Sequence, residues 1–567
     1  MKKLVLSASV AFLATASAMA QDNRDYSAQM GNDNIATTIQ DGDSNVNFLL
    51  QSGDDNKSEV TQIGAENFSG TAQFGTANEA IISQNGTNNS SGLLQIGEEN
   101  SGAVSQLGTQ NSSLLGQDGS ANEAIVDQWG ANNTSNLSQG GTGNEATVTQ
   151  ARRDASPNSS DSNTSNATQD GEDNTLIVSQ YGVGNHDAQT SQSGEENFAR
   201  IRQGGNGHEA LIAQNGYKNS IYSQQSGTSN DLTIDQDGDR NYSTEYTNGT
   251  ANIVEISQTG NNNRSEGYRM GDRNAATVRQ TLNYNKADVD QMGDENIVTV
   301  NQFGNNNDTK VLQDGDGNQS FANQFGNRNT ADIAQLETSN IATVNQTTFA
   351  NDNKAYIAQN GNSNEATINQ TLRSDENEAR ITQNGTDNDA IVNQSLNSNE
   401  NYANVYQNGD TNQAAVNQLG TGLFLSSTDN TAGISQVGDN NEATTNQNFR
   451  SSDNDAFIGQ FGDDNKGTIT QNGSLFAATS DNDAAMIQFG NDNRGTITQT
   501  GSENNALMFQ NQDGNIGTIS QAGFDNTAMS TQWGNLNTTT VTQTGAGQFH
   551  AGSQFGDGNT ITVTQSN

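Results

Sequence analysis

The chain has 567 residues, with 65 acidic against 23 basic side chains for a formal charge of -42, 59 glycines, one proline and no cysteine. Only 30% of it is hydrophobic, against about 45–50% in an ordinary globular domain, so it cannot fill the several conventional cores its length would allow. The lack of cysteine excludes disulfide frameworks, thiol catalysis and cysteine zinc sites, and the acidity argues against nucleic acid, whose phosphates it would repel.

The first segment reads as a secretory signal peptide over residues 1–20. Lys2 and Lys3 precede an apolar run from Leu4 to about Ala16, and Ala18-Met19-Ala20 places small residues where a signal peptidase cuts. The run is too short to span a bilayer as a helix. Residues 21–567 read as one further domain, secreted and without a second hydrophobic stretch.

That domain is a repeat from its first residues. Gln29, Gln40, Gln51, Gln73, Gln84 and Gln128 belong to a series spaced by eleven, and Gly31, Gly42, Gly53 and Gly75 keep the step, as do Asn34, Asn45, Asn56, Asn78 and Asn122. The unit is Q-x-G-x-x-N-x-A-x-(V/I)-x. From Asn23–Gln29 to Asn559–Gln565 there are 47 stretches running from an Asn slot to a Gln slot six residues on. Gln fills 45 of the closing slots, with Thr247 and Arg269 in the others, and Asn fills 44 of the opening slots, with His186, His208 and Gln548 in the rest. A disordered chain has no reason to keep that spacing.

An eleven-residue period also suits a right-handed helical coil. The alternation inside each stretch excludes it: Asn122-x-Ala124-x-Val126-x-Gln128, Asn274-x-Ala276-x-Val278-x-Gln280 and Asn364-x-Ala366-x-Ile368-x-Gln370 have period two, the mark of a strand. Two strands and two Gly-containing arcs make a coil. The predicted fold is all-β, a β-solenoid of stacked two-strand coils with about 22 residues per coil and about 23 coils, which at about 4.8 Å per rung is a rod about 110 Å long. Its small and aliphatic residues form a thin dry core, and its Asn and Gln amides form ladders of the kind found in cross-β, amyloid-like structure.

The spacing resembles the curlin repeat, S-x5-Q-x-G-x2-N-x-A-x3-Q, and Gln73-x-Gly75-x-x-Asn78-x-Ala80-x-x-x-Gln84 matches its Gln-to-Gln part position by position. The chain is thus similar to the curli fibre subunits, although it is much longer and seldom has the leading Ser. The resemblance implies a structural subunit of an extracellular amyloid-like fibre for cell adhesion and biofilm, on the surface of a Gram-negative-type bacterium. It also implies self-association, other curlin-type subunits or a nucleator as partners, and an outer-membrane export machinery. The competing class is a solitary secreted β-solenoid, either a calcium-stabilised adhesin or a polysaccharide-binding rod. The repeat reaches both ends of the chain, where a solitary solenoid would carry capping elements.

Eight arcs are longer than four residues, following Gln150, Gln180, Gln346, Gln370, Gln394, Gln418, Gln447 and Gln471, and the one proline, Pro157, falls in the first. Six of the eight are odd-numbered arcs, which predicts that they stack along one edge. They carry Phe349, Leu372, Leu396, Phe424, Phe449 and Phe476, read as a lateral contact ridge. A longer arc is expected to dispense with the positive φ that glycine supplies.

No catalytic constellation emerges, and the expectation is no enzyme and no cofactor. His186 and His208 read as substitutes in Asn slots. Arcs such as Asp41-Gly42-Asp43 and Asp314-Gly315-Asp316 offer oxygen ligands beside a turn, but at the wrong period for a calcium roll, so they read as charges that oppose premature stacking. Aromatic residues after the Gln, such as Phe74, Trp129, Phe303, Phe325, Phe461, Phe489 and Trp533, are expected to point outward.

Overall fold

A computed structural model describes residues 22–151, 162–182, 184–420, 426–473 and 479–567. Pro157, Phe424, Phe476 and the signal segment lie outside these. The described residues contain strands and no helix. The chain divides into two compact units, Met1–Ser229 and Asn230–Asn567, and each is a parallel β-solenoid; between them they make about 24 turns of about 22 residues.

The coil follows from the alternation. In Glu79–Thr87, Ala80, Ile82 and Gln84 are buried and the residues between them face out. An arc then reverses the chain, and the next strand runs back as the second wall of a core one residue pair thick. Each strand pairs with the strand one coil further on, parallel and in register, so like meets like: Gln29 opposite Gln51, Gln40 opposite Gln62. Insertions do not disturb the register, because they fall between strands. Gln139 stands opposite Gln169 across the first of them, and Gln418 bonds to Gln447 across a later one.

The arcs differ from the sequence reading in one respect. Gly42, Gly53 and Gly75 lie inside the paired strands Ile35–Asp43, Val46–Asp54 and Phe68–Thr76, with φ of 119°, 120° and 122°, and Gly31 follows its strand with φ 110°. They bend the chain while it stays paired. The tight left-handed residue is instead the one before each Asn, Asp33, Ser44, Asp55 and Ala77 among them, with φ of 53° to 58°. Glycine is needed for a second reason as well: a Cβ on Gly53 would collide with the carbonyl of Gly75 in the next coil.

Candidate functional site: amide ladders and an exposed edge

Inside the described stack, Gln side chains of the column use both amide protons. Gln51 Nε2 donates to Gln73 Oε1 at 2.8 Å and to the carbonyl of Ile35 in the opposite wall at 3.0 Å. The same pair of bonds recurs for Gln73, Gln84, Gln128, Gln280 and Gln370. The Gln column therefore links coils to one another and the two walls of each coil. Asn works in the opposite direction: Asn56 and Asn78 donate back to Asn34 and Asn56, each at 3.0 Å, and forward to glycine carbonyls. Asn45, Asn122 and Asn364 repeat this, and the Asn274 backbone N–H likewise donates to Asn252 Oδ1. Gln amides thus point toward the C-terminal coils and Asn amides toward the N-terminal ones, so the two columns of dipoles oppose each other. Buried amides need such pairing, since each unpaired group costs about 1–3 kcal/mol.

The ladders reach the outermost described coils but are not buried there. Gln29 donates to Gln51 at 2.6 Å and Gln40 to Gln62 at 2.8 Å, while Asn559 donates to Asn537 at 3.0 Å and Gln565 accepts from Gln543 at 2.8 Å. Gln29 and Asn559 are exposed.

Two exceptions in the repeat prove to be substitutes of different kinds. His208 N–H donates to His186 Nδ1 at 3.2 Å, as an Asn rung would to Oδ1, and the rings stack with centroids 5.1 Å apart. Nδ1 is therefore the acceptor and the proton sits on Nε2. Burial, reinforced by the His208 charge, lowers the His186 pKa to about 4; burial lowers His208 too. Arg269 is fully buried beside Glu245, which occupies an aliphatic slot; Nη1 donates to the Glu245 carboxylate and Nε to Gln291 Oε1 at 3.1 Å. Burial pushes the Glu245 carboxyl up, against the opposing pull of Arg269. Gly267 makes the room, since a Cβ there would strike both side chains. The sequence marked Arg269 as an exception; Glu245 at an aliphatic slot and Gly267 one coil on were the signal for its partner.

The six late insertions follow strands that pair successively within one sheet, so the arcs stack. The expectation about glycine fails here. Phe349, Leu372, Leu396 and Phe449 keep positive φ, from 60° to 65°, because the longer arc still has to reverse the chain and now does so on side-chain-bearing residues. All four are exposed. Sequence reading missed what holds the arcs: Ala350, Ser374, Ser398, Ser427, Ser451 and Thr479, three residues before each Asn, form a fully buried column. Ser374 and Ser427 Oγ donate to the carbonyls of Gln394 and Gln447, and Asn377 and Asn430 donate to those hydroxyls.

The acidic arcs also do more than repel. Asp439, Asp463 and Asp316 each accept a backbone N–H from the preceding coil at 2.8–2.9 Å, from Asp410, Asp439 and Asp294. Among the described residues no group of three or more His, Asp or Glu side chains is placed to hold a metal ion.

The model of the curlin associated repeat matches at residues 31–64, 97–130, 209–238, 227–266, 271–304, 304–336, 428–462 and 513–545, a little under half of the chain and in both units. The chain thus carries curlin associated repeats in both units and is similar to the curlin-repeat family. No curated protein matches it. Proteins of this repeat family are structural rather than enzymatic, and the ladder-bearing solenoid gives that class a physical form.

Proposed function

We propose that this chain is the structural subunit of an extracellular amyloid-like fibre that serves adhesion and the biofilm matrix. One observation carries the reading: apart from the His186–His208 and Thr247–Arg269 rungs, the described coils present the same ladder, so a coil of another copy offers the partners that the next coil of the same copy does. The opposed directions of the two columns add polarity. The Gln29 edge turns Gln oxygen outward and the Gln565 edge turns Gln N–H outward, so copies complement each other head to tail. Stacked head to head, oxygen would meet oxygen. The site residues of this reading are the ladder from Gln29 and Asn34 to Asn559 and Gln565, with Phe349, Leu372, Leu396 and Phe449 as a lateral contact. The partners it implies are further copies, other curlin-type subunits or a nucleator, and an outer-membrane export machinery.

The test is assembly of purified residues 21–567, followed by electron microscopy and fibre diffraction. Unbranched fibres with a meridional reflection near about 4.7 Å and an equatorial one near about 10 Å are expected. Chains that stay monomeric for days at tens of micromolar overturn the reading.

A further inference from the structure

Near each end of the described stack one strand breaks the inward pattern, and both break it at the same two slots. In Arg24–Met30 the residues two and four positions after Asn23 are Asp25 and Ser27, which stand opposite the buried Asn47 and Leu49 of the next coil. In Phe549–Phe555, in the other unit, the same slots hold His550 and Gly552, opposite the buried Ala528 and Ser530. Asp25 occupies an inward slot yet is exposed, because its strand is paired on one side, with Val46–Asp54. Its carboxylate accepts from Asn47 Nδ2 at 2.7 Å and from Ser27 Oγ at 3.0 Å. His550 folds over Gly552, with Nε2 2.7 Å from where a Cβ would lie. That nitrogen is buried without a hydrogen-bond partner, and so is Oε1 of Gln548, which holds the Asn slot of the same strand.

We propose that an incoming copy seats its Arg24–Met30 on Phe549–Phe555 and its Ile35–Asp43 on Thr560–Ser566, with the incoming Asp25 carboxylate bonded to His550. The inference rests on the fibre reading and adds the junction to it, strand by strand.

The order of the coil supplies the first argument. Each strand stacks on the one two before it, as Thr560–Ser566 does on Thr538–Ala546, so a strand that continues the coil past Thr560–Ser566 falls on Phe549–Phe555. Gln554 then meets the incoming Gln29, and Gln565 meets Gln40. Seating Arg24–Met30 one place later, on Thr560–Ser566, leaves the place above Phe549–Phe555 open and breaks one of the two Gln columns.

Side-chain chemistry selects the same phase. Asp25 then faces His550 across one rung, the separation over which Asn47 at this slot already reaches it, and a charge-assisted bond forms where a lone carboxylate would be buried. Ser27 faces the space left by Gly552. The incoming Asn23 faces Gln548 Oε1, as Asn45 N and Nδ2 face Asn23 Oδ1 within the chain, so both unpartnered atoms find donors or acceptors. Outside, Arg24 lies over the exposed ring of Phe549, a cation–π contact. In the later phase Asp25 would face Ile561 and Ser27 would face Val563, which buries a charge against aliphatic groups.

The experiment uses residues 21–567. The chain has no cysteine, so introduced thiols report the junction alone. Fibres of the Ala28→Cys, Ser553→Cys chain, whose outward thiols lie about 4.8 Å apart in the proposed phase, are expected to be joined into multimers by a short bismaleimide. Fibres of the Ala28→Cys, Thr564→Cys chain, whose thiols then lie on opposite walls, are expected to stay uncross-linked. In seeded growth, His550→Ala should slow elongation at least about tenfold by leaving Asp25 buried without its partner. Adding Asp25→Ala should restore the rate, and both variants return the repeat's own alanine, with circular dichroism to show that they fold. Cross-linking of the second chain instead of the first, or of neither, overturns the junction while leaving the fibre reading in place, as does a rate unchanged by His550→Ala or unrestored by Asp25→Ala. Absence of fibres from every chain, the wild type included, overturns both.

Discussion

Gln302 shows what one residue contributes. It accepts from Gln280 and donates to Gln324 and to the Lys286 carbonyl, so Gln302→Ala strips one amide proton of Gln280 and the Lys286 carbonyl of this partner, while Gln324 Oε1 keeps its bond from Thr309 Oγ1 at 2.9 Å. The expected cost is about 2–4 kcal/mol, confined to neighbouring coils and readable as faster amide hydrogen exchange there. Arg269→Gln, although it restores the repeat, is expected to cost about 3–5 kcal/mol because Glu245 stays buried without its partner. Adding Glu245→Val and Thr247→Gln should recover that loss in urea unfolding, and failure to do so would show that the pair is favourable in itself. His186 gives a pH dependence of definite sign. Its folded pKa of about 4 lies below its ordinary value of 6.5, so the unfolded chain binds the extra proton between these values. The stability it contributes is complete above 6.5 and is lost as pH falls toward 4, by up to about 1.4 kcal/mol per pH unit. His186→Asn should flatten the denaturant midpoint of the Met1–Ser229 unit across that window.

At the scale of the arc, backbone conformation and coil stacking are one problem. Gly53→Ala places a Cβ at φ 120° against the next carbonyl, and a cost of at least about 2 kcal/mol is expected. Ala77→Gly, at a left-handed residue, should gain about 1 kcal/mol. Equal effects of the two on thermal unfolding would contradict this division of labour. In the late arcs the pKa of Asp453 is raised, first by burial and then by Asp429 and Asp481 in the adjoining coils. Here the folded state holds its proton to higher pH than the unfolded chain does. This carboxyl therefore adds stability as pH falls through its raised pKa toward 3.8, the opposite sense to His186. Asp453→Asn should stabilise these coils at neutral pH and remove that gain, as measured by hydrogen exchange at pH 4 and 7.

For the whole molecule, charge and edges decide assembly. Salt should speed fibre formation by screening the -42 charge, and rates indifferent to salt would show that repulsion does not limit it. Gln565→Glu turns an oxygen toward the incoming Gln oxygen. Elongation at that edge is expected to slow about tenfold, the equivalent of ~1.4 kcal/mol, in seeded growth followed by light scattering.

The strands, their parallel stacking and the amide ladders were legible in the sequence because an in-register coil puts each residue against its counterpart 22 positions away, and a repeat is a record of that contact. Even the stacking of the late insertions could be read, from the parity of their arcs. What the sequence left open are contacts between unlike positions and the conformation of each arc. Tertiary structure decided that glycine serves carbonyl packing as well as its bend, and that Phe349 and Leu372 keep positive φ. It also decided that Ser374 and its counterparts hold the arcs, and that Arg269 pairs with Glu245. Periodicity specifies which residues stack; the direction of each side chain and the space around it arise only when the coil closes.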